Sequence, residues 1–191
     1  MLHARQAMGG LALNCTTRRT APTLRAPPMP FNPESPLAKL MATLPRAGAV
    51  EWIGVRPARD VPMVAAERVQ AKAGAGLTGD RYKGGSGKRG LTLIQAEHLP
   101  VIAMLAGLDA VDAATLRRNI VVSGIPLIAL KERRFRIGDV ILEGTEPCDP
   151  CSRMEEALGA GGYNAMRGHG GLCARIIEGG TFALGDAVVP L

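Results

Sequence analysis

From residue 49 onward, apolar and polar positions alternate in short runs broken by glycine and by charged turns. AVEWIGV (49–55), MVAAERVQA (63–71), LTLIQ (91–95), IVVSG (120–124), IPLIAL (125–130), RRFRI (133–137), DVILEGT (139–145), LCARIIE (172–178), TFAL (181–184) and DAVVP (186–190) have the length and patterning of strands. AEHLPVIAMLAG (96–107) reads as a helix, with Pro100 in its first turn, where proline is tolerated. DAATLRRN (112–119) predicts a second helix or helical turn, and SRMEEAL (152–158) a third. Between them AGAGLTGDRYKGGSGKRG (73–90) is a long glycine-rich loop. Many short strands with few helices predict a mostly β chain closed into a barrel, since closure removes exposed strand edges.

The pattern echoes itself once. FRIGDVIL (135–142) and FALGDAVV (182–189) share Phe, Gly and Asp, and each reads as strand, Gly-Asp turn, strand. Glycine meets the positive-φ demand of a tight turn, and aspartate can accept from backbone N–H groups there. A third Gly-Asp stands at 79–80.

Residues 1–36 lack periodicity and hold six prolines, and they predict a disordered extension ahead of a domain over 48–191. Two readings fit this segment. An Arg-rich, acid-free stretch over residues 1–33 resembles an organellar transit peptide. Alternatively it is an upstream extension with Met29 as the start, which suits the bacterial style of the rest and a cytoplasmic location. Composition then narrows the function. Of the net charge of +6, four units come from Arg5, Arg18, Arg19 and Arg25, so the body is nearly balanced. With aromatics at 3%, it lacks the clustered bases and stacking rings of a nucleic-acid binder. No apolar run reaches the ~18 residues of a membrane span. GGSGKRG (84–90) is no Walker A loop: Arg89, not Ser or Thr, follows Lys88, and a strand follows the loop. A loose anion contact by Lys88 or Arg89 stays open.

EPCDPC (146–151) carries the chemistry. Four cysteines, at 15, 148, 151 and 173, are too few and too irregular for a disulfide scaffold and suit a reducing compartment. Three uses of the motif are open. Cys148, Cys151, His169 and Cys173 have spacings that a structural zinc accepts. A CxPC ahead of a helix also suits a redox pair. Or Cys151 works alone, opening SRMEEAL with Arg153 nearby, as a thiolate that binds a soft metal or carries sulfur.

Five segments in order, GLTGDRY, RGLTLIQAEHL, LRRNIVVSGI, RFRIGDVILEGTEPCDPC and GHGGLCARIIEGGTFALGDAVV, resemble the molybdenum cofactor sulfurase C-terminal (MOSC) domain over roughly residues 48–190. The resemblance implies a pyruvate-kinase-type β-barrel with a few short helices, a key Pro-Cys cysteine that maps onto Cys151, and binding of the molybdenum cofactor (molybdopterin) or sulfur transfer to metal centres. That cofactor's phosphate calls for cations, and Arg118 with Asn119, ahead of IVVSG, is the expected holder, with Lys88, Arg89 and Arg153 in support. Arg118→Ala is accordingly expected to lower occupancy and leave melting nearly unchanged. The pyridoxal-phosphate domain of the full sulfurases and the N-terminal barrel region of the amidoxime-reducing members have no counterpart, so no pyridoxal phosphate is expected here. Tyr-Lys-Gly-Gly stands where stand-alone bacterial members often have His-Gly-Gly. Two function classes follow: a molybdenum-dependent reductase of N-hydroxylated compounds or a sulfur carrier, served by a separate electron or sulfur donor protein; or a non-enzymatic barrel with structural zinc.

Overall fold

A computed structural model describes residues 32, 34–82 and 84–191. Its strands are β1 (Gly48–Val55), β2 (Val64–Ala65), β3 (Arg68–Lys72), β4 (Gly76–Leu77), β5 (Leu91–Gln95), β6 (Ile120–Ser123), β7 (Arg134–Ile137), β8 (Val140–Pro147), β9 (Leu172–Glu178), β10 (Gly180–Ala183) and β11 (Ala187–Pro190). The helices are α1 (Pro36–Ala42), α2 (His98–Ala106), α3 (Ser152–Leu158) and α4 (Gly162–Ala165). Seven strands in the order β11-β7-β8-β9-β5-β6-β1 close into a barrel through pairing of β1 with β11. β5 and β6 run parallel, and the other barrel pairs are antiparallel. A parallel pair needs a crossover, and α2 with the turn after it supplies one. β10, β3 and β4 form a small second sheet. Most of residues 1–36 lie outside the described residues; α1 starts at Pro36, with Ser35 capping the N–H of Ala38. Among the described residues no helix is long and apolar enough to cross a membrane.

The alternation in sequence becomes two apolar layers. Leu91 and Leu93 of β5, Ile120 and Val122 of β6, and Leu172, Ala174 and Ile176 of β9 fill the barrel with Phe135 and Phe182. The intervening Ile94 and Val121 face outward, where Ile102, Leu116, Met154, Leu158 and Met166 cover them. Thr92 and Cys173 are register partners at the β5–β9 pair, in phase with that outer layer. The outer face of the barrel wall thus carries polar and thiol side chains among its apolar ones.

Two expected strands come out differently. IPLIAL is a 3-10 turn over Leu127–Leu130, with Leu127 and Leu130 buried and Ile128 exposed. Burial three apart is the repeat of that helix rather than of a strand. MVAAERVQA splits, because β2 pairs with β1 while β3 pairs with β10 in the other sheet. DAATLRRN is a helical turn, opened by Asp112 Oδ1 accepting from Thr115 N at 2.6 Å.

The repeated Gly-Asp turns are real turns, with φ of 53° at Gly138 and 81° at Gly185. They pack on each other: Asp139 N donates to Thr181 O at 3.0 Å. A Cβ on Gly138 would lie 2.7 Å from both Thr181 O and Asp186 Oδ2, whereas one on Gly185 meets nothing within 4 Å. Gly138→Ala should therefore lower the melting temperature well beyond Gly185→Ala. The second variant incurs only the backbone penalty of roughly 1–2 kcal/mol. Equal falls in a thermal melt would show that the steric contact is relieved at no cost.

Candidate functional site

Asp80, from the third Gly-Asp pair, centres a buried polar network on the outer wall. Its carboxylate accepts from Arg56 N and Nε at 2.9 Å each, from Arg56 Nη2 at 3.0 Å and from Tyr82 N at 2.9 Å. Burial alone would raise its pKa, but the hydrogen bonds and charge of Arg56 outweigh that and hold the carboxyl below its ordinary value. Asn119 joins the network, donating from Nδ2 to Asp80 Oδ2 at 2.9 Å and to Gly54 O at 3.1 Å. Its Oδ1 accepts from Thr92 N and Oγ1. Both amide hydrogens and the carbonyl oxygen are thus engaged within the protein. Asn119, expected to read a ligand, instead ties β1, β5 and the 79–82 loop together.

Arg118 is likewise turned inward. It is 7% exposed, and its guanidinium donates to three backbone carbonyls: Gly170 at 2.7 Å, Leu116 at 2.9 Å and Cys148 at 3.0 Å. It clamps the loop that leads to CDPC against the Gly-His-Gly-Gly loop. Gly170 must be glycine for that approach, since a Cβ would sit 2.1 Å from Cys148 O. Asn119 and Arg118, the expected cofactor holders, thus spend side-chain hydrogen bonds on groups of the protein itself.

The neighbouring Arg117 faces the other way. It has φ of 55°, which swings its side chain out of the helical turn. Nη1 donates to Val61 O at 2.8 Å, while Nη2 is buried and without a partner. Burial lowers its pKa, and so do the charges of Arg56, Arg153 and Arg81. Arg153, two residues past Cys151, pairs with Asp60 at 2.9 Å. Arg89 pairs with Glu146 at 2.8 Å, and Lys88 beside it is exposed. Around Arg117 stand Arg56, Arg81 and Arg153, so four cations face Asp60 and Asp80. That excess suits a small anion.

The cysteines divide. Cys151 is exposed at the cap of α3, and its side chain caps no backbone N–H. Cys148 and Cys173 are buried, and Cys148 N donates to Gly171 O, two residues before Cys173, at 2.9 Å. The neighbouring Cys173, with the charges of Arg118, Arg89 and Arg56, draws the Cys148 thiol below its ordinary value, and Cys173 is pushed up. His169 stands edge-on to His98, ring centres 5.0 Å apart. Among the described residues no group of three or more His, Cys, Asp or Glu is placed to hold a metal. Among the described residues the zinc set Cys148, Cys151, His169 and Cys173 is therefore not assembled: Cys148 and Cys173 are buried while Cys151 is exposed. Limiting iodoacetamide on the native chain should label Cys151 first and Cys173 last. Faster labelling of Cys148 in the peptide map would show that its acidity outweighs its burial.

Arg56, in a strand-end Arg-Pro, escaped the sequence reading, and Arg117, in one polar cluster with Arg118 and Asn119, gave way to Arg118 because adjacent helical positions diverge. The signal was available in Asp80: a lone carboxylate in a glycine loop needs a cationic partner if buried.

The family model of the MOSC domain matches residues 79–189, more than half of the 191 and inclusive of Asp80, Arg117 and both CDPC cysteines. No curated protein matches the chain by sequence. Among solved structures, the YuaD protein of Bacillus subtilis is similar with a TM-score of 0.66 and 18% identity, over 76% of this chain and 97% of that one. YiiM of Geobacillus stearothermophilus gives 0.61 and 14%, over 75% of each chain. YiiM of Escherichia coli gives 0.60 and 17%, over 77% and 70%.

Proposed function

The chain belongs to the MOSC domain family, and from that premise we propose that it binds the molybdenum cofactor, with Cys151 as thiolate ligand and the Arg117 cluster as holder of the cofactor's phosphate. The carrying observation is the buried Arg117 Nη2, a charged donor with no partner, set among cations with too few carboxylates to balance them. An unpaired buried donor is costly, and a phosphate oxygen is the acceptor that a guanidinium fork fits best. Cys151 lies at the edge of the same cluster, two residues from Arg153, with an exposed sulfur available to a soft metal.

The chain's own groups have distinct tasks in this reading. Arg117 binds the anion, with Arg81 adding charge. Asp80 fixes Arg56 in the cluster, and Asn119 fixes Asp80 to the barrel wall. Arg118 sets the height of the CDPC loop, and so of Cys151, above the wall. When bound, the cofactor supplies two-electron redox chemistry, which suits reduction of N-hydroxylated compounds. Electrons come from a separate donor protein. Three described cysteines as free thiols suit a reducing, cytoplasmic setting.

Molybdenum and pterin, measured separately on protein from a cofactor-producing host, test the reading. Arg117→Met should weaken retention of both by roughly ten- to a hundredfold, the equivalent of one charge-assisted contact of ~1.5–3 kcal/mol. Cys151→Ser should lose molybdenum if the thiolate is a ligand. Full occupancy of both in Cys151→Ser would assign that cysteine to carrying sulfur instead, and unchanged occupancy in Arg117→Met would move the phosphate to Lys88 and Arg89.

A further inference from the structure

A bulge in β1 puts two consecutive side chains on one face of the wall. Val50 and Ile53, three apart, both fill the barrel, where strict alternation would send them to opposite faces. The register of β1 against β6 shifts between Val50 and Trp52, which absorbs the extra residue and leaves Glu51 and Trp52 together on the outside. There they line a cavity of about 680 Å³ with Leu99 of α2, Val111 and Asp112 of the turn after α2, and Ser123 of β6. Trp52, Leu99 and Val111 pack on the outer apolar layer and are only partly buried. A Cβ on Gly54 would run into the ring of Trp52, so glycine there lets the indole lie back along its own strand.

The charged groups of this cavity have one sign. Glu51 Oε1 accepts from Ser123 Oγ, and Asp112 Oδ1 accepts from Thr115 N at 2.6 Å. Among the described residues neither carboxylate forms an ion pair, and no Lys or Arg lines the cavity. Arg46, at the end of β6, is outside the lining, with Nε donating to Gly124 O at 3.1 Å. The chain carries a net charge of +6, yet this apolar hollow holds two unpaired carboxylates and none of the positive charge. Low-dielectric walls focus such a field, so the cavity selects by sign. Its volume is that of small-molecule sites, roughly 300–1,000 Å³.

We propose that the cavity between β1, β6 and the turn after α2 binds a small amphipathic cation, a protonated amine on an aromatic or short aliphatic body. The apolar body displaces water from Trp52, Leu99 and Val111. The ammonium donates to Glu51 and Asp112 in charge-assisted hydrogen bonds, and the indole face adds its attraction for a cation. A neutral ligand of the same shape keeps only the apolar part, and an anion is repelled. A second copy docked on this face by a two-fold axis would set the same patch against itself, and so bring carboxylates toward carboxylates. No residue of the Arg117 cluster lines the cavity, so the site stands apart from the cofactor reading.

Trp52 is the one tryptophan of the chain, so its emission reports on this cavity directly. The test titrates the full chain, at constant ionic strength, with benzylammonium, benzyl alcohol and benzoate, probes of like size and different charge. Benzylammonium is expected to change the emission saturably. Benzyl alcohol should bind roughly tenfold more weakly, the scale of one charge-assisted contact, and benzoate more weakly still. Glu51→Gln combined with Asp112→Asn should bring benzylammonium down to the level of the alcohol. Equal binding of ammonium and alcohol, tighter binding of benzoate, or no saturable change would overturn the proposal. So would emission that follows protein concentration together with a dimer in sedimentation, which would give the cavity to a second copy. The wild-type comparison decides by itself, so a variant that failed to fold would leave the proposal open to refutation. Molybdenum content enters none of these readouts.

Discussion

Arg118→Ala is expected to lower the melting temperature by about 6–20 °C. The guanidinium satisfies three backbone carbonyls, of Gly170, Leu116 and Cys148, in a place where it is itself almost fully buried. Each carbonyl left without a donor costs ~1–3 kcal/mol, less whatever the loops recover by relaxing or admitting water. A net loss of about 3–5 kcal/mol follows, and each kcal/mol moves the midpoint by roughly 2–4 °C in a chain of this size. Arg118→Lys should recover only a part, because one ammonium cannot reproduce a planar fork that reaches three oxygens at once. Far-UV circular dichroism on both variants gives the answer; a fall below about 3 °C in Arg118→Ala would mean that the clamp is replaced by solvent at no cost. This outcome reverses what the sequence suggested, a variant that melts normally and fails only to bind.

The reversal shows where sequence patterning informs and where it stops. Period-two alternation placed the barrel strands because an inward and an outward residue differ in chemistry, as Leu93 and Ile94 or Ile120 and Val121 show by filling different layers. The Gly-Asp echo placed two turns for the same local reason. Arg117 and Arg118 carry the same side chain one position apart, and nothing local separates them. What separates them is tertiary: positive φ at Arg117 and carbonyls converging on Arg118 from loops 30 and 52 residues away. IPLIAL failed similarly, since apolar residues three apart read equally as a strand until Pro126 and the Gln95 side chain, which accepts from Leu127 N at 3.0 Å, fix the turn. The division of the CDPC thiols was not legible, because Cys148 is buried against β9, its N–H bonded to Gly171 O, while Cys151 is left exposed at the cap of α3.

Asp80 carries the second large effect and makes it depend on pH. Its side chain is 1% exposed and meets Arg56, Tyr82 N and Asn119 at once. Asp80→Ala removes the acceptor for all of them and is expected to cost about 3–5 kcal/mol, the usual penalty for breaking a buried pair from one side. Asp80→Asn keeps the shape, removes the charge and turns one acceptor oxygen into a donor, so it abolishes the titration. The folded carboxyl titrates below its unfolded value of 3.8, because the hydrogen bonds and charge of Arg56 outweigh burial. A group depressed in the folded state stabilises fully above its unfolded pKa and loses that contribution as pH falls through the folded one. The melting-temperature gap between wild type and Asp80→Asn should therefore hold steady from pH 7 down to about 5 and close only on acidification below 3.8. A gap already closing between pH 7 and 5 would mean that desolvation wins and that Asp80 is protonated early. In that case Arg56 would stand unpaired beside Arg117, and the cationic cluster would be stronger at mild acidity than the neutral-pH ion pair allows.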